Sequence, residues 1–398
     1  MEAGTVPASS GNKAGTDQND FAGEYAVTIW CSGPVIDLTR KQIATFNSTN
    51  GLGIRVEATL IETNEMSAVD NMLADVKGGA DIFFFPSDQL SRFVQAGVLR
   101  PLAANAAAFV KNSNVEAAVT AATMGDGVYA YPVTADNTCF VYYDKSVVKS
   151  GSLNDLDKMI ADCEAADKDF CFNLTSGWYS SAFFFGTGCK SVWNVDGSGH
   201  FLTVEDTFNS AKGFLAAKAL NAVMRSKGFV DSSDASEFSN NAGFVISGTW
   251  DLNIARSILG SNFGAAPLPR FSVNGEQYQL RQFTGCKLVG VKANDDVKFS
   301  AVCQQLAQYL TDEAAQLERF ETAGWGPSNI AAAKNEKVLA DDVLGSIAQQ
   351  AVFSVYQGLI DGGWWTKAEA LAVNIQAATS DAEIWSALKA YDAAIHAR

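Results

Sequence analysis

Large aromatic side chains occur at the predicted ends of strands and in polar, glycine-containing turns, outside the apolar runs that predict core. These residues are Trp30, Trp178, Tyr179, Trp250, Trp364 and Trp365. An aromatic ring offers rigid apolar area with a polar tip, and it can stack on the apolar face of a pyranose. Such residues could form a binding surface of this kind, although core filling is an equal alternative for each tryptophan taken alone. Three others are interpreted as structural: Trp193, Trp325 and Trp385.

Carboxylate and amide side chains that could hydrogen-bond sugar hydroxyls occur at similar positions. Asp88 and Gln89 follow the short apolar run 81–85, and Asp136 lies in a polar step, residues 134–138, between two extended runs. Asp88 also fits a helix N-cap, because Pro-Ser-Asp precedes an apolar run, and one carboxylate can cap and bind at once. Weaker candidates for polar contacts are Ser32, Asp251 and Gln282.

Residues for catalysis are sparse. The two histidines are His200, in a glycine-rich turn, and His396, near the C-terminus, so the sequence does not support a Ser-His-Asp triad. Asp and Glu are plentiful, and their separation cannot be read from a sequence, so a two-carboxylate glycosidase stays open as an alternative. We expect a protein that is not an enzyme.

Metal-binding patterns are weak, and we expect no metal or cofactor. Residues 194–205 place Gly sixth and Glu twelfth as a calcium loop does, but position one is Asn, and Phe-Leu-Thr-Val predicts a strand. A plain hairpin is therefore favoured. The seven cysteines show no zinc-ligand spacing. Cys163 and Cys171 flank a short polar loop and either form a disulfide or are buried free thiols.

Length and charge narrow the classes of function. A chain of 398 residues is expected to form two domains. Its net charge of −15 disfavours nucleic acid and anionic membrane surfaces. No apolar run is long enough to span a membrane. Residues 2–20 are small and polar, which predicts a disordered tether, and we expect a lipidated cysteine of the native chain where Met1 stands.

Strands and helices alternate in the first hundred residues. Residues 25–30, 54–60 and 81–85 are predicted strands, each followed by apolar residues at helical spacing. This βαβαβα pattern predicts an open parallel sheet, in which ligands bind outside the carboxyl ends of the strands, here residues 30–32 and 85–89. The first turn, Cys-Ser-Gly-Pro, is no phosphate-binding loop, so a nucleotide ligand is disfavoured.

Residues 128–144 form the central feature of the chain. The aromatic and β-branched runs 128–133 and 139–143 predict strands, and the step between them carries no turn signal. Such a pause predicts a strand that crosses between two domains, with Asp136 at the crossing beside a cleft. Residues 285–291 are interpreted as a return crossing.

The order of these motifs resembles a known family. The matching segments are Ile-Trp30, Gly-Gly-Ala-Asp81-Ile-Phe-Phe-Phe, Ala96-Gly-Val-Leu, Tyr131-Pro, Phe172-Asn-Leu, Gly248-Thr-Trp250 and Gly324-Trp-Gly-Pro-Ser-Asn. From about Tyr25 onward the chain resembles the family 1 extracellular solute-binding proteins, the group that includes maltose-binding protein. The resemblance implies two α/β lobes, two or three hinge crossings and closure around a sugar.

The resemblance also implies roles for single residues. Stacking positions of the family are matched by Trp178, Trp250 and one of Trp364 and Trp365, and carboxylate positions by Asp88 and Asp136. Two positions depart from maltose-binding protein, because Gln89 stands where that protein has Arg and Ser176 where it has Glu. The implied ligand is therefore a neutral glycan that need not be maltose.

These observations lead to one expected architecture. It is a two-lobed, periplasmic-binding-protein-like α/β fold, in which each lobe is a mostly parallel sheet flanked by helices and hinge strands join the lobes. We predict a tether over 1–22, a first lobe over 23–134 and 288–330, and a second lobe over 135–287 and 331–398. Hinge crossings are predicted near 133–138, 283–289 and 327–335.

The expected function is that of the substrate-binding component of an ABC importer, which captures an oligosaccharide by hinge closure. The expected partners are this glycan and the permease subunits, with no nucleic acid and membrane contact only through the lipid anchor. We expect a monomer on the extracellular face of the bacterial cytoplasmic membrane, or in the periplasm. A binding protein for a peptide or a polyamine is the alternative.

Overall fold

Two five-stranded sheets organise the chain in the computed structural model, which describes residues 21–397. Along these residues the strands are β1 (Gly23–Cys31), β2 (Ile54–Glu62), β3 (Ile82–Pro86), β4 (Thr123–Met124), β5 (Gly127–Val128), β6 (Tyr131–Pro132), β7 (Phe140–Asp144), β8 (Asp169–Cys171), β9 (Ser191–Val195), β10 (Phe201–Asp206), β11 (Phe229–Val230), β12 (Ala242–Ser247), β13 (Phe263–Ala266), β14 (Arg270–Val273), β15 (Glu276–Gln279), β16 (Phe283–Thr284), β17 (Lys287–Val291) and β18 (Val355–Tyr356).

Helices cover the faces of both sheets. They are α1 (Gly33–Thr49), α2 (Glu65–Ala74), α3 (Leu90–Gln95), α4 (Ala104–Ser113), α5 (Glu116–Ala121), α6 (Leu156–Ala165), α7 (Gly177–Gly186), α8 (Ala211–Met224), α9 (Leu252–Leu259), α10 (Val297–Tyr309), α11 (Glu313–Ala323), α12 (Ile330–Ala333), α13 (Glu336–Leu339), α14 (Asp342–Ala351), α15 (Gly362–Ala377) and α16 (Asp381–His396). The predicted α/β class and its two-lobed form are confirmed.

The two sheets have the same plan. The first, in the first lobe, has the order β2-β1-β3-β17-β6, and the second, in the second lobe, has the order β11-β8-β12-β7-β13. In each sheet the first three strands are parallel, and the last two join by antiparallel pairing. The expectation of mostly parallel sheets thus holds for three strands in each lobe. β17 and β7 enter from the interlobe side without a helical crossover, and therefore run opposite to their neighbours.

The buried apolar residues divide into cores that follow the two sheets. The core of the first lobe contains the continuous apolar strand β3, which is buried along its whole length. Followed along the chain, the buried residues pass from the core of one lobe to that of the other in three places. These places lie between Val133 and Cys139, between Phe283 and Cys286, and between Trp325 and Val343. The chain therefore crosses between the lobes three times.

The three crossings are hydrogen-bonded to one another. Asn137 and Gly285 exchange backbone hydrogen bonds, with N–O distances of 3.2 and 3.0 Å, and the Ala135 amide donates to the Gly326 carbonyl at 3.0 Å. We refer to these three hydrogen-bonded crossings together as the hinge.

Two segments fold differently from their sequence-based interpretation. Residues 175–181, which the polar residues suggested to be a turn, contain the start of α7. Residues 361–365, which the two glycines suggested to be a turn, contain the start of α15, where Asp361 caps the helix by accepting from the Gly363 amide at 2.8 Å. Both helices bring aromatic residues to their first turn.

The predicted tether and lipid anchor fall on residues 1–20, outside the described residues. Phe21, which we assigned to the tether, packs against the core of the first lobe, and its carbonyl accepts from the Tyr25 hydroxyl at 3.0 Å. Among the helices of residues 21–397, none has the length and apolar character that would let it cross a bilayer.

Candidate functional site

A cavity of about 630 Å³ lies between the two lobes. Its lining residues are Ser32, Pro34, Asn64, Glu65, Met66, Pro86, Asp88, Asn137, Ser176, Trp178, Tyr179, Trp250, Lys287, Trp325, Gln357 and Trp365. Many of them directly follow the carboxyl ends of parallel strands, which are β1, β2 and β3 in the first lobe and β8 and β12 in the second. That edge is where open α/β sheets place their ligand sites.

Aromatic side chains form the wall of the second lobe. Trp178 and Tyr179 lie in the first turn of α7, with ring centroids 4.8 Å apart at 87°. Trp250 lies in the turn after β12, and its ring centroid is 6.0 Å from that of Trp178. These rings present apolar area and two indole groups to the cavity, which suits the apolar face of a sugar ring.

Trp365 reaches the same wall from α15. The two helices that carry these aromatic residues are in close contact at Gly177, where a Cβ would lie 2.4 Å from the Cβ of Ala368. A larger residue at position 177 would push α7 and α15 apart. This close packing fixes Trp365 relative to Trp178 before any ligand arrives.

Asp88 is the buried carboxylate of the first-lobe wall. Its side chain is 2 % exposed, and burial raises its pKa to about 6. Gln89 donates its amide to Asp88 and accepts from Arg92 Nη1 at 2.8 Å. Gln89, which we predicted to contact ligand, is fully buried and does not line the cavity, because its side chain is engaged in holding Asp88.

An ion pair extends the first-lobe wall. Lys287 Nζ lies 3.2 Å from Glu65 Oε1 and 4.0 Å from the centroid of the Trp325 ring. Both side chains are largely buried, with 6 % exposure for Lys287 and 15 % for Glu65. The aromatic ring and the carboxylate together hold the ammonium group in place.

Gln357 connects the hinge to the aromatic wall. Its side-chain Oε1 accepts from Trp178 Nε1 at 3.2 Å, while its backbone amide donates to the Thr284 carbonyl at 3.0 Å. The indole of Trp178 is thereby oriented by a residue that is itself fixed at a crossing.

Seven of the thirteen residues that we predicted to bind ligand line this cavity. They are Ser32, Asp88, Ser176, Trp178, Tyr179, Trp250 and Trp365. The fold therefore brings residues from distant parts of the chain together around one cavity. Their contact with a ligand stays a prediction.

Two predicted aromatic residues belong to cores instead. Trp30 is 9 % exposed and packs inside the first lobe, because its position on β1 points it towards the covering helices. Trp364 is fully buried, and its Nε1 donates to the Tyr391 hydroxyl at 2.8 Å. Successive residues of a helix point about 100° apart, so Trp364 enters the core while Trp365 faces the cavity.

Asp136 has a structural role at the hinge. Its Oδ2 accepts from Thr249 Oγ1 at 2.9 Å and from the Gly326 amide at 2.6 Å, and the side chain is 2 % exposed. It lies at the first crossing but outside the cavity lining, because its carboxylate joins the crossings to one another. Asp251 is also outside the lining, since its Oδ2 accepts from Ser247 Oγ at 2.6 Å.

Nine lining residues were missed by the sequence reasoning. They are Pro34, Asn64, Glu65, Met66, Pro86, Asn137, Lys287, Trp325 and Gln357. Glu65 follows the carboxyl end of β2 and could have been found by the rule that identified Ser32. Trp325, which we interpreted as structural, is 2 % exposed and also borders the cavity.

The calcium-like segment is a hairpin of β9 and β10. In its turn Asp196 Oδ1 accepts from the backbone amides of Ser198 and His200, at 2.8 and 3.0 Å. Its carboxylate thus closes the turn. Within residues 21–397, no group of three or more His, Cys, Asp or Glu side chains is arranged to hold a metal ion.

The seven cysteines are buried and free. Burial raises the pKa of Cys163 and of Cys171 to about 12, so both thiols stay protonated at neutral pH. These two residues behave as small apolar side chains, and the disulfide alternative is not formed.

Comparison with known proteins agrees with this architecture. Residues 41–344 match the family described as bacterial extracellular solute-binding protein. The fold is similar to that of the maltodextrin-binding protein MalE1 from L. casei BL23, with a TM-score of 0.80 and 23 % identity over 94 % of this chain and 100 % of that one. A complex with acarbose gives a TM-score of 0.83 and 26 % identity over 94 % of this chain and 99 % of that one.

A third similar fold is the Thermus thermophilus maltotriose binding protein, with a TM-score of 0.76 and 20 % identity over 93 % of this chain and 98 % of that one. The family match covers most of the chain, and the resemblance noted in the sequence is confirmed. The chain belongs to the bacterial extracellular solute-binding protein family.

Proposed function

We propose that this protein is the substrate-binding component of an ABC-type importer and that it captures an oligosaccharide between its lobes. The observation that carries the proposal is the cavity of about 630 Å³, where the aromatic wall of one lobe faces the carboxylates of the other. Aromatic faces and hydrogen-bonding edges are the two surfaces that a sugar requires. Proteins of similar fold are described as binding maltodextrin and maltotriose.

Capture would proceed by hinge closure. Residues of both lobes line the cavity, so a bound glycan contacts both walls and stabilises the closed arrangement. The bending motion is expected at the three hydrogen-bonded crossings. The closed lobes would then form the surface that the permease subunits recognise.

The test is a titration of intrinsic tryptophan fluorescence with malto-, xylo-, manno-, galacto- and fructo-oligosaccharides, with calorimetry for affinity. We expect a saturable change with one class of sugar, because at least four indole rings border the cavity. A folded protein that responds to none of these glycans would overturn the sugar proposal.

A polyamine or a peptide is the second candidate, because Glu65 and Asp88 are carboxylates beside aromatic rings. Spermidine and a short peptide mixture belong in the same titration. A response to one of them, with no response to glycans, would select this candidate.

We propose that the protein does no chemistry. Neither His200 nor His396 lines the cavity in the described part of the chain, and Glu65 is ion-paired with Lys287. Incubation with the oligosaccharide that binds should return it unchanged. Release of reducing sugar would instead indicate a two-carboxylate glycosidase.

The remaining proposals concern the cellular setting. We propose a monomer, lipid-anchored on the extracellular face of the membrane or free in the periplasm, which delivers its ligand to permease subunits. Family membership supports this setting. Light scattering of the purified chain, with and without ligand, tests the monomer, since closure within one chain needs no second copy.

A further inference from the structure

Lys287 is the one cationic residue among those that line the cavity in the described chain. Its ammonium nitrogen lies 3.2 Å from Glu65 Oε1 and 4.0 Å from the centre of the Trp325 ring. The pair therefore presents a donor and an acceptor side by side on the first-lobe wall.

The main chain fixes both partners. Glu65 is the first residue of α2, directly after Asn64, whose Oδ1 accepts from the Ser67 amide at 2.8 Å. A carboxylate in the first turn of a helix is stabilised by the helix dipole. This placement keeps the Glu65 carboxylate at a defined point beside the cavity.

Lys287 opens β17, in register with Pro86 of β3. Its backbone amide donates to Thr134 Oγ1 at 3.2 Å, and its carbonyl accepts from the Val133 amide at 3.0 Å. The ammonium thus extends from a strand that is held on both sides. Side chains on such rigid elements are preorganised for binding.

Stability alone is a poor reason for this pair. Both side chains are largely withdrawn from water, and the desolvation penalty of such an ion pair commonly equals or exceeds its Coulombic gain. An ammonium group has three donors, and a carboxylate accepts at about four positions, so their mutual contact leaves hydrogen-bonding capacity unused. Since both residues line the cavity, this capacity is available to a ligand.

The charges of the lining also restrict the ligand. Glu65 and Asp88 are carboxylates, and Lys287 is the single counter-charge. An anionic sugar would meet a net negative wall with its one ammonium already paired. A neutral sugar meets a donor and an acceptor that lie 3.2 Å apart, so two neighbouring hydroxyls can approach both groups at once.

We propose that Glu65 and Lys287 together recognise a diol, so that the protein selects neutral oligosaccharides with two adjacent free hydroxyls on the ring that faces the first lobe. One hydroxyl donates to the Glu65 carboxylate, and the oxygen of its neighbour accepts from the Lys287 ammonium. This inference rests on the proposed sugar-binding function. It adds that the sugar must offer two adjacent free hydroxyls to the first-lobe wall of the cavity.

The experiment is calorimetry with the oligosaccharide of the panel that binds best, and with the same sugar mono-O-methylated at each ring position. The proteins are the natural chain, Lys287→Met, Glu65→Gln and the double variant. We expect each single variant to lose affinity for the free sugar about tenfold or more, because charge-assisted hydrogen bonds are lost. Methylation of one hydroxyl of the diol should weaken binding to the natural chain but not weaken binding to the double variant further.

Lys292→Met is the matched control. Lys292 Nζ lies 3.8 Å from Asp81 Oδ1, its side chain is 13 % exposed, and it does not line the cavity. This variant should keep both the affinity and the discrimination against methylated sugar. If Lys287→Met does not fold, Glu65→Gln carries the test, since glutamine has nearly the same shape.

The outcomes separate the two proposals. If the natural chain binds no glycan, the proposed function fails and this inference fails with it. If the natural chain binds a glycan and the double variant still discriminates against the same methylated sugars, the diol-recognition pair alone is overturned. Equal losses in Lys287→Met and Lys292→Met would also overturn it, because the effect would then be general destabilisation.

Discussion

Trp250 shows how one residue is prepared for a ligand. Its ring lies against the Gly248 backbone, where a Cβ would be 2.2 Å from the indole. The ring is therefore held in place before binding, and little side-chain entropy is lost when a ligand stacks on it.

The first prediction concerns this ring. Trp250→Ala should weaken sugar binding by about 2 kcal/mol, roughly thirtyfold, because the stacked apolar area is lost. Calorimetry measures the loss. Trp385→Ala is the control, since that ring stacks on Phe214 at 4.7 Å and does not line the cavity. Equal affinity of the Trp250→Ala protein and the natural chain would contradict the role of the ring.

The second prediction concerns the pH dependence of stability at Asp88. Burial raises the pKa of Asp88 in the folded protein from 3.8 to about 6. The folded state thus binds this proton more tightly than the unfolded state, and stability is lost as the pH rises from about 4 to 6. Asp88→Asn should therefore be more stable than the natural chain at pH 8, by at most about 3 kcal/mol, and the difference should vanish below about pH 4.

Urea unfolding of both proteins at several pH values measures this difference. Asp206→Asn provides a comparison, because burial also raises the pKa of Asp206 to about 6 and this residue does not line the cavity. A difference between the Asp88→Asn protein and the natural chain that does not change with pH would show that the Asp88 carboxyl does not titrate in this range.

At the scale of the element, the first turn of α15 assigns opposite roles to two neighbouring tryptophans. Trp364→Ala should destabilise the protein by about 3–5 kcal/mol, since it empties a buried site and removes the partner of Tyr391. Trp365→Ala should cost much less stability but should weaken sugar binding. Thermal unfolding and calorimetry of both variants measure the contrast, and a reversed pattern would contradict this orientation of the helix.

The same element shows what the sequence could and could not predict. Ser32 and Asp88 were found because parallel strands end at one edge of a sheet, a rule that needs only the strand pattern. To decide which of Trp364 and Trp365 faces the cavity, one must know how α15 is oriented about its axis. The glycines at positions 362 and 363 made a helix hard to predict there, so the sequence did not give this orientation. Lys287 and Gln357 were missed because their positions depend on how the crossings pair, and that pairing is a long-range contact with no local signal.

At the scale of the whole molecule, contacts outside the crossings also join the lobes. Asn253 of α9 donates from its side-chain amide to the Thr322 carbonyl at 3.2 Å, near the end of α11. Beside it Leu252 packs against Gly324, which ends α11 in the left-handed conformation with φ of 71°. α9 belongs to the second lobe and α11 to the first, so this contact joins the two lobes in the arrangement described here.

The last prediction tests the contact with two matched glycines. Gly97 follows α3 with φ of 67° and has open space where a Cβ would stand, whereas a Cβ at Gly324 would lie 2.2 Å from Leu252 Cδ2. Both Ala variants share the strain of the left-handed conformation, about 1–2 kcal/mol. Gly324→Ala should cost about 1–3 kcal/mol more, because the buried Leu252 side chain must move.

A double-mutant cycle assigns that extra cost to the interlobe contact. In a Leu252→Ala background, Gly324→Ala should cost no more than Gly97→Ala does in the natural chain, since the clashing methyl group is absent. Urea unfolding of the single and double variants gives the coupling free energy, which we expect to be at least about 1 kcal/mol. Additive effects would place the cost in the backbone of residue 324 alone, and the close approach of Leu252 to Gly324 would then not be its cause.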